Sequence, residues 1–248
     1  MTYASGVKPA LFLSDLHLSP SRPEAVAAFQ AFAAGPARDA SAVYILGDLF
    51  DWWIGDDQLA EPFVAAIGQA LRGVSDAGVA LYVGHGNRDF LLGSQFALVT
   101  GATLLPETQL LDLFAIRTLL CHGDELCTDD ANYQRYRRRV RNPALQRRLL
   151  RLPYWARRSL ASWLRRMSRN QNALKAEAIM DVNARAVEDA FRTHSAQRMI
   201  HGHTHRPARH LHDVDGVARE RWVLADWHDR GQYLEVDATG VHVREIEG

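Results

Sequence analysis

Gly47-Asp48-Leu49-Phe50-Asp51, directly behind the apolar run Ala42 to Leu46, is the stretch whose reading decides the fold. A run this short and apolar reads as a strand buried on both faces, and the Gly-Asp step reads as the turn where that strand leaves its sheet. Four more stretches repeat the pattern. Ser14-Asp15-Leu16-His17 follows Pro9 to Leu13, Gly86-Asn87-Arg88-Asp89 follows Val79 to Val83, and His122-Gly123-Asp124 follows Ile116 to Cys121. His201-Gly202-His203-Thr204-His205 follows Arg198 to Ile200, and Asp226-Trp227-His228 is a weaker sixth. In an open α/β sheet, ligands gather outside the carboxyl ends of strands, where loops project side chains together. Five strand ends therefore point to one place.

Asp, Asn and His donors with no cysteine among them suit Mn, Fe, Zn or Mg rather than a soft thiolate site. Seven donors are too many for one tetrahedral ion. They suit two ions that share a carboxylate and keep positions open for water and substrate. Such a pair, roughly 3.5 to 4 Å apart, clamps the attacking and the leaving oxygen of an in-line phosphoryl displacement.

The set Asp-x-His, Gly-Asp-x-x-Asp, Gly-Asn-x-Asp, a lone His before Gly-Asp, and Gly-His-x-His resembles the calcineurin-like metallophosphoesterases. That resemblance implies a sandwich of two mixed β-sheets flanked by helices. It also implies that Asp15, His17, Asp48 and His205 hold one ion, and Asp48, Asn87, His122 and His203 the other, with Asp48 bridging. Asn87, Arg88, His122 and His203 are the expected catalytic residues. Many relatives carry histidine within Gly-Asn-His-Asp, where this chain has Arg88. A guanidinium suits a phosphate oxygen and cannot act as a general acid at neutral pH.

Gly-Asn-Arg-Asp, together with His-Gly-His-Thr-His-Arg-Pro and Gly-Asp-Leu-Phe-Asp-Trp-Trp, is similar to one branch of that family. The branch hydrolyses the pyrophosphate of UDP-2,3-diacylglucosamine in lipid A synthesis, by attack at the α-phosphorus, giving UMP and 2,3-diacylglucosamine 1-phosphate (lipid X). The resemblance implies Mn²⁺ as the ion and substrate contacts at Asn87, Arg88, Asp130, Ser168, Asn172, Lys175 and His203. It further implies a monomer held peripherally on the cytoplasmic side of the bacterial inner membrane, touching membrane surface lipids and no nucleic acid.

With 248 residues, 47% of them hydrophobic, the chain can bury a full core in one large α/β domain or two. Cys121 and Cys127 read as reduced thiols rather than a disulfide framework. The first twenty residues lack the pattern of a signal sequence, and no run approaches the roughly 18 apolar residues of a membrane span. Net charge is zero but strongly separated: residues 131–176 hold thirteen arginines and one lysine with no acid, leaving 15 basic against 29 acidic residues elsewhere.

Ser21 is placed to cap a helix with Pro23 in its first turn, running past Phe29 and Phe32 to Gly35-Pro36. Phe63, Ile67, Leu71 and Val74 predict a helix from Pro62 to about Ala77, and another is expected from Phe90 to about Val99. These β-α units argue for mainly parallel strands. Leu110 to Phe114 reads as a strand, an amphipathic helix is expected from about Asp181 to Thr193, and Trp222 to Leu224, Tyr233 to Val236 and Val241 to Ile246 read as strands after it.

The arginine block divides the chain into a metallophosphoesterase core, 1–130 and 177–248, and an inserted helical cap over the active site, 131–176. Pro143 and Pro153 break it into two or three short helices, with Tyr133, Trp155, Trp163 and Leu164 interleaved among the arginines. Three readings remain open for it. Its apolar stripe docks on the core and its arginines are solvated, or it tracks a nucleic-acid backbone, or it meets anionic headgroups and offers a groove to acyl chains. The resemblance favours the last. A phosphodiesterase acting on nucleic acid is the alternative activity, and a non-catalytic scaffold is disfavoured because all seven donor positions are filled. Asp51 and Asp89 are expected to orient ligands or hold loops. His201 is the least suited ligand of its cluster, while His85, His194, His210, His212 and His242 read as surface or packing residues, and His228 stays open.

Overall fold

The computed structural model describes residues 7–172, 181–228 and 231–246, with side chains described to 164 in the first span. Strands β1 (Ala10–Leu13), β2 (Ala42–Ile45), β3 (Ala80–Val83) and β4 (Thr103–Leu104) run parallel in one sheet. That sheet is extended on the β1 side by β10 (Gln232–Asp237) and β11 (Gly240–Glu245), both antiparallel additions. The second sheet, in order, is β5 (Thr108–Leu113), β6 (Ile116–Cys121), β7 (Arg198–His201), β9 (Val217–Val223) and β8 (Ala208–Val214). Its three central strands β6, β7 and β9 are parallel. Both sheets are therefore mixed, as expected.

Side-chain alternation builds the layers. Leu11, Leu13, Val43 and Ile45 face helices α1 (Pro23–Ala34), α2 (Pro62–Asp76) and α3 (Ser94–Thr100), meeting Phe29, Phe32 and Ile67. Ala10, Phe12 and Tyr44 point the other way, against Leu120, Ile200 and Leu224 of the second sheet. Leu119 and Met199 then pack on Val187 and Phe191 of α7 (Ala184–His194). Each such buried Leu or Phe contributes about 1.5–3 kcal/mol of transfer free energy. The rigid helix–sheet–sheet–helix stack that results has the carboxyl ends of β1, β2 and β3 at one edge, beside those of β6, β7 and β9.

Some local expectations change. Ser21 does not cap α1: Arg22 occupies the cap position, and the Ser21 hydroxyl lies 2.8 Å from that of Ser19. Pro23 at the helix start removes one orphan N–H, which lessens the need for a cap. The helix expected from Phe90 begins at Ser94 because Asp56, from a distant loop, accepts from the Gly93 and Gln95 N–H groups at 2.9 Å each. The helix expected from Asp181 begins at Ala184, where the Asn183 side chain accepts from the Arg185 and Ala186 N–H groups.

The arginine block forms three helices, α4 (Ala131–Val140), α5 (Pro143–Leu150) and α6 (Tyr154–Asn172), the last longer than expected. Its arginines divide by role. Arg137 reaches Asp124 at 2.9 Å and Glu107 at 3.1 Å, and Arg141 donates to the Gly86 carbonyl at 3.1 Å. The buried Arg157 pairs with Asp57 and with the Ile54 carbonyl. Other side chains stand in solvent, including Trp155 at 72% and Trp163 at 54% exposure. No described helix is long and apolar enough to cross a membrane.

Candidate active site

Each loop leaving the parallel strands brings its polar cluster to the shared edge. Asp15 Oδ1 lies 3.4 Å from His205 Nε2 and 4.0 Å from His17 Nε2, and the two imidazole nitrogens are 3.4 Å apart. Asp48 Oδ2 lies 3.8 Å from His17 Nε2 and 3.9 Å from His122 Nε2. On its far side, Asn87 Oδ1 sits 3.2 Å from His122 Nε2 and 3.0 Å from His203 Nδ1. All seven expected donors thus meet in two groups, with the Asp48 carboxylate between them.

The backbone is bent to achieve this. Asp15, His17, Asp48, His203 and His205 all have left-handed φ, between 47° and 70°. That conformation costs an L-residue about 1–2 kcal/mol, somewhat less for Asp and Asn, and it persists where neighbours over-determine it. Here the loops hydrogen-bond one another: Asp15 N–H to Gly47 O at 3.1 Å, His17 N–H to Asp48 O at 2.9 Å, and Gly202 N–H to His122 O at 2.9 Å. Two glycines make the close approach possible. A Cβ on Gly86 would collide with the Asp48 carboxylate, and one on Gly202 with Asp15 and Ser14.

Supporting groups fix the donors. Asp89, fully buried, accepts from the N–H groups of Gly86 at 2.7 Å, Leu49 at 2.8 Å and Asp48 at 3.2 Å, which is the loop-holding role its position suggested. His122 Nδ1–H donates to Leu46 O at 2.9 Å, leaving Nε2 turned to the site. His205 Nδ1 lies 3.4 Å from Asp226, so the weak sixth cluster supplies an orienting carboxylate. His228, whose role was open, contacts Arg22 at 3.3 Å. His201 stands apart, its ring between Gly202 O and Arg221.

The electrostatics are those of a crowded acidic pocket. Burial, with Asp89 and Asp15 nearby, pushes Asp48 up to about 7, while His122 and Arg88 oppose the shift. Burial would also raise Asp15, but the His205 hydrogen bond and the surrounding histidines hold it below the usual carboxylate range. Burial lowers His17 and His203 to about 4 each, whereas bonds to Asp15 and Asp226 overcome it at His205 and raise that ring to about 10.

These residues fit divalent ions. Apart from the 3.4 Å approach of His205 Nε2, Asp15 Oδ1 is buried without a hydrogen-bond partner among the described residues, a costly state for a carboxylate oxygen unless a cation takes it up. Oxygen and nitrogen donors without sulfur match hard or borderline ions. Asp15, His17 and His205, and separately Asp15, Asp48 and His122, each bring ligand atoms within 4.8 Å of one another.

Around this centre, Arg88 donates its backbone N–H to Asp48 Oδ1 at 2.8 Å, and its Nε is buried without a hydrogen-bond partner among the described residues. Asp130 accepts from the Tyr133 N–H at 2.9 Å and so caps α4. Ser168 and Asn172 lie in α6 beyond the side chains described, and Lys175 lies outside the described residues. Tyr133 was read only as an apolar member of the block. Its ring stacks on His203 with centroids 5.8 Å apart, and its hydroxyl donates to Asp124 at 2.9 Å. The one hint in the sequence was Asp124 itself, an acid at a strand end with no donor role.

Carboxylates and imidazoles gathered at the joint edge of two mixed sheets place the chain among the metal-dependent phosphoesterases. Residues 8–207 match the calcineurin-like phosphoesterase family, and the chain belongs to it. It is 51% identical to the UDP-2,3-diacylglucosamine hydrolase of Aromatoleum aromaticum over 231 residues, 93% of this chain and 94% of that protein. Against the UDP-2,3-diacylglucosamine hydrolase of Edwardsiella ictaluri the identity is 50% over 237 residues, 95% of this chain and 91% of the relative. The crystal structure of TT1561 from Thermus thermophilus superposes with a TM-score of 0.51 at 10% identity, covering 98% of this chain and 100% of that one, and so shares the fold.

Proposed function

We propose that this chain hydrolyses the pyrophosphate bond of UDP-2,3-diacylglucosamine at the α-phosphorus, releasing UMP and 2,3-diacylglucosamine 1-phosphate. The observation that carries the reading is the pair of donor groups meeting across Asp48 with Arg88 at their edge. The likeness to hydrolases named for this substrate, over nearly the whole chain, supports the choice of ligand.

Asp15, His17, Asp48 and His205 would hold one divalent ion, and Asp48, Asn87, His122 and His203 the second, with Mn²⁺ the proposed metal. When bound, the two ions supply Lewis-acid neutralisation of the phosphoryl charge and lower the pKa of an attacking water. The protein's own part is placement. Asp89 holds the loops of Asp48 and Asn87 together, Asp226 and the Leu46 carbonyl orient two imidazoles, and Tyr133 braces His203. The Arg88 guanidinium binds a phosphoryl oxygen as a charge-assisted fork.

Arginine in place of a proton donor is chemically consistent with this substrate. The leaving group is a phosphate monoester, whose second pKa is about 6, so it departs at neutral pH without a general acid. Helices α4 to α6 act as a cap on the 1–130 and 177–248 core. Asp130, Ser168, Asn172 and Lys175 provide polar contacts to the nucleotide sugar. The exposed Trp155, Trp163 and Leu150, set among arginines, face acyl chains and anionic headgroups. The same reading takes the chain as a monomeric peripheral protein of the cytoplasmic face of the inner membrane. Incubating the Mn²⁺-loaded protein with UDP-2,3-diacylglucosamine should release UMP. No UMP, together with cleavage of an oligonucleotide, would replace this reading with a nucleic-acid phosphodiesterase.

A further inference from the structure

Beside the loop that carries His203 and His205, but lined by none of the seven donors, lies a cavity of about 210 Å³. Asp181, Thr204, Arg206, His210 and Arg221 contribute to its walls. Arg221 is the unusual member, a guanidinium only 7% exposed. Its contacts at 3.0 Å and 3.3 Å are to Nε2 of His201 and Nε2 of His212. An imidazole nitrogen accepts only through a lone pair, so these contacts satisfy N–H groups without supplying a counter-charge. The His201 ring N–H is already used, since Nδ1 lies 2.8 Å from Gly202 O. Among the described residues of the wall, the carboxylate is that of Asp181, engaged by Arg206 at 3.0 Å. Arg221 is thus a buried guanidinium with no ion-paired carboxylate among the described residues.

A second, independent feature lies on the same wall. Thr204 Oγ1 is buried and has no hydrogen-bond partner among the described residues. Leaving such a hydroxyl unsatisfied costs about 1–3 kcal/mol, so its persistence calls for an acceptor in the adjoining space. An acceptor that also carries negative charge would answer both features at once. Arginine forks and a hydroxyl are the usual donors to tetrahedral oxyanions. The volume suits one phosphoryl group with a small substituent, and is below the roughly 300–1,000 Å³ of pockets for larger organic ligands.

We propose that this cavity is a phosphoryl-oxyanion site separate from the catalytic edge, taking inorganic phosphate or a small phosphate monoester on Arg221 and Thr204. Because Thr204 is the residue between His203 and His205, an anion held there bears on the loop that presents two of the candidate metal ligands.

Crystals of the Mn²⁺-loaded protein soaked in tungstate, a tetrahedral dianion with strong anomalous scattering, locate the site directly. The expected result is a tungsten peak within hydrogen-bond reach of Arg221 and Thr204, distinct from any at the seven donors. Calorimetric titration with inorganic phosphate and with glycerol 3-phosphate gives the solution counterpart and shows which source binds better. Arg221→Gln should weaken the cavity's affinity at least tenfold. The near-isosteric Thr204→Val should weaken it several-fold, and it serves if Arg221→Gln does not fold. A cavity without tungsten while the metal edge is occupied would overturn the proposal. So would phosphate and glycerol 3-phosphate affinities equal in wild type and Thr204→Val, which would mark any crystal peak as an adventitious ion only.

Discussion

The metal-donor edge and the arginine-rich helices are built on opposite principles. At the edge, Asp15, Asp48, Asp89 and His122 are buried and the loops are held several times over: Asp89 gathers three N–H groups, and Asp15 accepts the His203 N–H at 2.8 Å while its own N–H is bonded to Gly47. Helices α4 and α5, in contrast, bury none of their residues; α4 is attached through Arg137, Tyr133 and Gln134, with Arg141 at its end, and α5 through Gln146. The first region is rigid because loops at strand ends restrain one another. The second rests on a few ion pairs and leaves aromatic surface in solvent. The difference teaches that a pre-organised polar site and a loosely attached surface bearing exposed aromatic side chains can occupy one fold.

The sharpest way to break that contrast is at its rigid end. Asp48→Ala removes the carboxylate shared by both donor groups, and kcat should fall by at least about 10³-fold, with metal content reduced, as read by turnover and atomic absorption. Next is Arg137→Met, which strips the buried Asp124 of its main partner. Removing one member of a buried pair costs about 3–5 kcal/mol, so a marked drop in thermal midpoint is expected, and wild-type stability would show that α4 is not anchored there.

Metal loading should depend on pH in a defined direction. Burial raises Asp48 to about 7, and bonds to Asp15 and Asp226 raise His205 to about 10, yet both must be deprotonated to bind a cation. Protons therefore compete, and Mn²⁺ affinity measured by equilibrium dialysis should weaken as pH falls through about 7, with proton release on binding at neutral pH. The smallest effect belongs to the exposed region. Trp155→Ser should leave stability within about 0.5 kcal/mol while reducing binding to anionic vesicles several-fold, as sedimentation would read.

The fold was legible because a strand end in a parallel sheet carries a simple signature, an apolar run and then Ser-Asp, Gly-Asp, Gly-Asn or His-Gly. Five such signatures sufficed to predict one edge, and the structure gathers their side chains there. The supporting contacts were illegible for a physical reason: they join residues far apart in sequence. Arg141 and Gly86 are separated by 55 positions, and Asp124 meets Arg137 only because α4 folds back over its strand. The left-handed backbone at Asp15, His17, Asp48, His203 and His205 was also hidden, since no glycine marks it. The arginine block misled in a different way. Composition alone treats its charges as equivalent, whereas burial of Arg157 and exposure of Trp155 divide it into anchors and surface.

The most direct test of the account is anomalous diffraction from crystals of the Mn²⁺-loaded protein, recorded at the manganese edge. Two peaks are predicted, one among Asp15, His17, Asp48 and His205 and the other among Asp48, Asn87, His122 and His203, with the Asp48 carboxylate touching both. A single peak, or manganese bound away from Asp48, would contradict it.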